Sequence, residues 1–484
     1  MKRILSIGFF LFTAFSFCQN IINWNNAADV SNMSMYGNNF PRIVVDANGN
    51  PLVIWNNGSN LYFSRWNGTG FLTPSQLNTN GSSVAGANWM GPDIASRGDT
   101  VYVVYKTKPE NDTSSHIWCI SSFDGGITFN TSNRVDYIGN NFSRFPTITI
   151  DNLGNPIIGF MEFNAAFADP QWVVSKSLDF GNTFSNPIQA SGWSGPNSEV
   201  CDCCPSKIIS NGLNVAMPYR DNNSNIRDTW SGISLDGGNT FTHGINVDQL
   251  NWTIMSCPAS GPDGVIIEDT LITTYMSAAG GGYRVYYNKS SMTSNFGSSA
   301  IPLDQFTPAT LNSQNFPRVD YNLGSLVFAW KQISGGIQEL AIQFTENIQN
   351  GINPTQEVID QNNIGGVDVA LYNGQIWVVW EDESSGTVKY RNGNYTSQAT
   401  LISKDKFSIK ATPNPSSNQW VISGEEINNN SLIILSTING NPINVMSIEN
   451  DHSVILDNTQ LTSGIYFATL YTNAGKVVIR LMKN

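Results

Sequence analysis

Short runs thick with β-branched and aromatic side chains, bounded by polar turn residues, fill the chain up to about residue 400. Val101-Tyr102-Val103-Val104-Tyr105 and Ile376-Trp377-Val378-Val379-Trp380 are typical. A period of two is the signature of strands; no stretch sustains the 3.6-residue period of a helix. A common lead-in precedes the strand pairs. It reads Asn39-Phe40-Pro41-Arg42-Ile43 first, and Arg144-Phe145-Pro146-Thr147-Ile148 and Asn315-Phe316-Pro317-Arg318-Val319 nearly repeat it. Gly91-Pro92-Asp93, Cys204-Pro205-Ser206-Lys207, Gly261-Pro262 and, without proline, Gly366-Val367-Asp368 are the other versions. The spacing, roughly 50 to 60 residues, suits one four-stranded sheet per repeat. The expected fold is therefore all-β, a β-propeller of six or seven blades, with seven favoured by the repeat count.

A second motif sits inside three of the repeats: Ser122-Phe123-Asp124-Gly125-Gly126-Ile127-Thr128-Phe129, Ser177-Leu178-Asp179-Phe180-Gly181-Asn182-Thr183-Phe184 and Ser234-Leu235-Asp236-Gly237-Gly238-Asn239-Thr240-Phe241. Ser, Asp and Thr are suited to hydrogen-bonding a turn, glycine to a positive φ, and the phenylalanine to pinning the turn on its sheet. The pattern resembles the Asp-box (BNR) repeat of sialidase-like propellers. In that family the box is a structural turn, away from the active-site face.

The pattern changes near residue 400, so residues 401–484 are expected to form a second, smaller domain. Pro413-Asn414-Pro415-Ser416 opens it, strands alternate through an Asn439-Gly440 turn, and Leu461-Thr462-Ser463-Gly464-Ile465-Tyr466 precedes a basic end. The residues alone predict a small antiparallel sandwich. The ordered landmarks resemble the type A C-terminal sorting domain of the type IX secretion system of Bacteroidetes. That resemblance implies the secretion machinery as a partner and a secreted location, with attachment to the outer-membrane surface as one possible end point.

Composition agrees with export. Lys2-Arg3 and the apolar run Ile4 to Phe17 read as a secretory signal peptide, residues 1–18, leaving 19–400 for the propeller. No later run is long enough to span a bilayer as a helix. With 25 basic and 37 acidic residues the net charge is −12, and no basic stripe is visible to meet nucleic acid.

Candidate chemistry gathers at the lead-ins of the fourth and fifth repeats: Cys201, Cys203 and Cys204 in the first, Cys257 in the second. With Met255 and Asp202 they could hold copper or zinc; exported thiols are more commonly disulfide staples. The order Cys-x-Cys-Cys, Tyr219-Arg220, Arg227-Asp228, Asp box, Trp252, Cys257-Pro258-x-x-Gly261-Pro262 resembles a group of secreted bacterial sialidase-like propellers. A working sialidase would clamp a carboxylate with three arginines and attack with a tyrosine activated by a carboxylate. Arg220, Arg284 and Arg318 are candidate clamps; Tyr283, Glu162 and Glu199 are candidate partners. The Arg-Ile-Pro landmark of that family is missing from the first repeat, where Pro41-Arg42-Ile43 has the wrong order. The leading expectation is a secreted or surface-bound binding protein for an extracellular glycan, ahead of an exo-glycosidase and of a metal-handling protein.

Overall fold

The structure is a computed structural model. It describes residues 22–484 apart from 31–36, 79–80, 197, 305–312, 349–350, 353–355, 396–408 and short stretches of the C-terminal part (425–426, 428–431, 438–441, 448–451, 473–474). The signal-peptide expectation and the Asn439-Gly440 turn lie outside the described residues. The chain divides into two compact units, Met1–Ser397 and Gln398–Asn484.

The described residues of the larger unit form seven antiparallel sheets in sequence order. Their innermost strands are Asn38–Val45, Asp93–Arg97, Phe142–Ile150, Ile209–Asn211, Asp263–Ile267, Gln314–Asn322 and Ile364–Tyr372. Each innermost strand touches that of the next sheet, and the seventh touches the first, so the sheets close into a ring of seven blades. The ring is sealed across the chain's ends. Ile22–Trp24 supplies the outermost strand of the seventh blade, with Ile22 opposite Tyr395 and Trp24 opposite Gly393. Each blade keeps an outer edge, but Ser75–Gln76, Asn133–Arg134, Ile188–Gln189 and Ile301–Pro302 are outer strands of only two residues, which leaves little for edge-to-edge pairing.

Apolar side chains pack between blades rather than through the centre. Val103 and Ile120 of the second blade join Leu52 and Ile54 of the first, and Met161 of the third joins Val215 and Met217 of the fourth. The centre is a channel of about 740 Å³ lined by the inner strands of all seven blades.

The Asp-box octapeptides form the turns between third and fourth strands of blades 2, 3 and 4. In each, the serine hydroxyl donates to the aspartate at 2.7–2.8 Å and accepts the N–H of the fifth residue, Gly126, Gly181 or Gly238, at 2.8–2.9 Å. The threonine hydroxyl closes the other carboxylate oxygen at 2.6 Å. Gly126 needs its φ of 78°, and a Cβ there would lie 2.6 Å from the Phe63 ring of the preceding blade. These turns define the lower face. In a four-stranded meander the loops between second and third strands, and those running into the next blade, lie at the opposite end, the upper face.

The smaller unit is a sandwich of a three-stranded and a four-stranded sheet around Trp420, Ile433, Leu435, Leu456, Tyr466 and Leu481. Asn414, set between two prolines that lack N–H groups, bonds the last strand twice. It donates to the Arg480 carbonyl and accepts from Met482 N–H, both at 2.7 Å. Tyr466 is buried and donates its hydroxyl to the Thr462 carbonyl at 2.7 Å. The Pro-Asn-Pro and Ser-Gly-Ile-Tyr landmarks are thus structural fastenings of this sandwich.

Candidate functional site on the upper face

The lead-ins converge at the upper mouth of the channel. In blades 1, 3 and 6 the Asn/Arg-Phe-Pro segment is a β-bulge, with register shifts at Asn39/Arg42, Arg144/Thr147 and Asn315/Arg318. Phe40, Phe145 and Phe316 take φ of 51–55°, a region bulky residues seldom occupy. The bulge turns the residue after each proline inward. Equivalent positions round the ring read Arg42, Asp93, Thr147, Lys207, Asp263, Arg318 and Asp368, a belt of three cations and three anions.

This belt cross-links the blades. Asp93, Asp263 and Asp368 accept the backbone N–H of Ile148, Val319 and Ile43 on the following blade at 2.9–3.1 Å. Lys207 sits 2.7 Å from Asp93, and Arg318 3.9 Å from Asp368. Burial, with Arg318 nearby, lowers the Arg42 pKa to about 10. Phe40, Phe145 and Pro205 leave a cavity of only about 40 Å³ above the belt.

The three candidate clamps are dispersed. Arg220 is fully buried and gives its donors to the carbonyls of Ser260, Arg227 and Met276 at 2.6–3.2 Å, with its guanidinium 5.1 Å over Trp252. Arg284 donates to the Asp304 carbonyl. Only Arg318 lines the mouth of the channel, where it faces Asp368. Tyr283 is half-exposed against the edge of Trp252, Glu199 is exposed, and Glu162 accepts from Asn141 at 2.6 Å. The expected clamp is corrected on this point. A fully buried guanidinium with three of its five N–H donors held by backbone carbonyls is out of reach of a substrate carboxylate.

The four cysteines do meet. Their sulfurs lie within 4.8 Å of one another where the segment leading into blade 4 passes the one leading into blade 5. Cys203 and Cys257 form a disulfide. Cys201 Sγ lies 2.8 Å from Cys204 Sγ and 3.5 Å from Cys203 Sγ. The approach of the two segments is close: a Cβ on Gly261 would stand 1.9 Å from the Pro205 carbonyl oxygen, so only glycine fits. Cys201 and Cys204 are buried, Cys203 is intermediate and Cys257 exposed. Arg227 Nη1 points at Cys201 Sγ from 3.0 Å. A hydrogen bond from Cys204, then the charges of Arg220 and Arg227, lower the Cys201 pKa to about 6, while burial raises that of Cys204.

This donor set does not fit the copper or zinc expectation. Tetrahedral thiolates at about 2.3 Å from a metal stand about 3.8 Å apart. Here one pair is bonded and another is 2.8 Å apart. Met255 and Asp202 are exposed and add no buried ligand. Sequence reasoning missed the charged belt, although Arg42, Asp93, Asp263 and Arg318, each directly after a lead-in proline, could have revealed it. It also missed that Arg227 faces Cys201.

Comparison with known proteins separates the two units. Residues 410–484 match the secretion system C-terminal sorting domain family, which implies handling by the type IX machinery and a secreted or cell-surface protein. No curated protein matches the chain. Among solved structures the chain is similar to a protein of unknown function from Dyadobacter fermentans, at 11% identity over 78% of this chain and 99% of that one, with a TM-score of 0.45. An α-L-arabinofuranosidase of Fusarium graminearum bound to an iminosugar inhibitor is 12% identical over 68% and 99%, with a TM-score of 0.45. The Trypanosoma rangeli sialidase bound to the inhibitor DANA is 12% identical over 92% and 84%, with a TM-score of 0.43. Among the described residues no helix is long and apolar enough to cross a membrane.

Proposed function

We propose that the chain is an exported surface protein whose upper propeller face binds an extracellular carbohydrate. The observation that carries this reading is the placement of half-exposed aromatic rings with polar edges or polar neighbours on that face. Trp89 lies in the loop from blade 1 to blade 2, Tyr137 in the loop from blade 2 to blade 3, and Tyr283 in the loop between second and third strands of blade 5. Phe167 stacks on Phe163 at 4.6 Å in the corresponding loop of blade 3, next to the amide of Asn164 and the carboxylate of Asp169. Flat apolar rings beside fixed amides and carboxylates offer a sugar both its stacking face and its hydroxyl partners. The sorting unit supports delivery of that face to the outside.

Calorimetry of the full chain against neutral and acidic oligosaccharides tests the reading. Binding is expected, and Trp89→Ala or Tyr283→Ala should weaken it. Silence across the whole panel would overturn it. Turnover of a fluorogenic sialoside, abolished in Arg318→Ala, would move the chain to the exo-glycosidase reading instead.

A further inference from the structure

Among the described residues, the cysteine cluster is a constellation that neither ring closure nor sugar binding absorbs. A plain staple between the segments leading into blades 4 and 5 needs two sulfurs, Cys203 and Cys257. The remaining two are not idle neighbours. Cys201 is in contact with one sulfur of that disulfide at 3.5 Å and with the Cys204 thiol at 2.8 Å. It also receives the guanidinium of Arg227 at 3.0 Å, a partner that favours a thiolate over a thiol. The burial is graded along the same path: Cys201 and Cys204 enclosed, Cys203 between, Cys257 open to solvent.

We propose that the four cysteines form a thiol–disulfide relay that passes two electrons from the enclosed Cys201/Cys204 pair to the surface pair Cys203/Cys257. The Cys201 thiolate attacks Cys203 Sγ. The Cys201–Cys203 bond forms as Cys203–Cys257 breaks, and the electron pair leaves on Cys257, which takes up a proton. Cys204 then gives up its proton and attacks Cys201 Sγ. The Cys201–Cys204 bond forms and Cys203 departs with the electron pair and a proton. One disulfide and two thiols enter, one disulfide and two thiols leave, and no outside oxidant or reductant is consumed. The enclosed pair is oxidised, the surface pair is reduced, and the staple between the two segments opens. Cys257 thereby becomes a surface thiol able to exchange with a disulfide-bearing molecule outside the cell.

Thiol mapping of the folded full chain tests this. If the chain is isolated with both pairs oxidised, it is reduced fully with excess dithiothreitol, freed of it and given one equivalent of oxidised glutathione, which reaches the exposed Cys257 first and sets the starting disulfide at Cys203–Cys257. Acid quenching, alkylation with N-ethylmaleimide and peptide sequencing by mass spectrometry then locate the label. In wild type, part of the population should carry label on Cys203 and Cys257 with Cys201–Cys204 bonded. In Cys204→Ser the relay should stop half-way, with Cys201–Cys203 bonded and Cys257 labelled at least tenfold above the level in Cys201→Ser/Cys204→Ser. The relay is overturned if Cys204→Ser carries label on Cys201 alone and wild type never labels Cys257. Stoichiometric copper or zinc held by four free thiols in wild type would overturn it too. The wild-type mapping stands even where a variant fails to fold.

Discussion

The two faces of the ring use the same residue types in opposite ways. On the lower face, Asp124 and Asp179 sit in solvent-facing turns and saturate themselves with local donors, and the third copy, Asp236, repeats the arrangement. The Thr128 hydroxyl and N–H lower the Asp124 pKa to about 2. On the upper face, Asp221 is buried beside the cysteine cluster, and burial raises its pKa to about 7. Repetition marks the lower arrangement as part of blade construction. The upper arrangement occurs at one junction, holds unpaired charge out of water and joins two blades. Perturbed carboxyls and thiols gathered at one junction are a mark of functional sites and of structural charge networks alike, and substitutions there separate the two.

The largest test of this contrast is Arg220→Met. It strips three buried carbonyls of their donor and removes the cation beside Cys201, and should cost about 3–5 kcal/mol in urea unfolding. A loss no greater than that of a surface change would show that the junction is not under load.

Opposite pH signs sharpen the contrast further. A carboxyl whose folded pKa lies above its unfolded value binds more protons when folded, so Asp221 withdraws stability as pH rises from about 4 through 7. Asp221→Asn should lessen the fall in stability between pH 5 and pH 8 by about 2 kcal/mol. Asp124 works the other way. Its contribution is present above the unfolded carboxylate range and is lost as pH falls toward 2. Asp124→Ala should cost about 1 kcal/mol at pH 7, because solvent screens so exposed a carboxylate, and little at pH 2, read by the same denaturant titration. The smallest effect on stability belongs to Trp89→Ala and Tyr283→Ala. Their melting temperatures should stay within about 2 °C of wild type, while carbohydrate affinity drops by about five- to thirtyfold.

Local grammar carried most of the fold into the sequence. Short β-branched and aromatic runs announced strands, the Phe-Pro lead-ins announced blades, and each Asp box carries the serine, aspartate and threonine that bond its own turn. Tyr466 was legible for the same reason, since it bonds Thr462 close by, whereas Pro413-Asn414-Pro415 stood out as a motif although Asn414 fastens the distant last strand. The junction of blades 4 and 5 was only half legible. Spacing brought Cys257 toward Cys201, Cys203 and Cys204, because repeats place equivalent segments side by side. It could not say which sulfurs would bond or that Arg227 would point at Cys201, because those depend on how two segments 54 residues apart cross. The arginine clamp failed for a related reason. Arg220, Arg284 and Arg318 share a residue type, but strand parity and loop position send them to an interior, a rim and a channel.

Hydrogen–deuterium exchange of the full chain, with and without a bound oligosaccharide, tests the division between faces most directly. Protection is expected in the loops around Trp89, Tyr137, Phe167 and Tyr283, with the turns at Ser122–Phe129, Ser177–Phe184 and Ser234–Phe241 unchanged. Protection confined to those three turns would contradict the account and place recognition on the lower face.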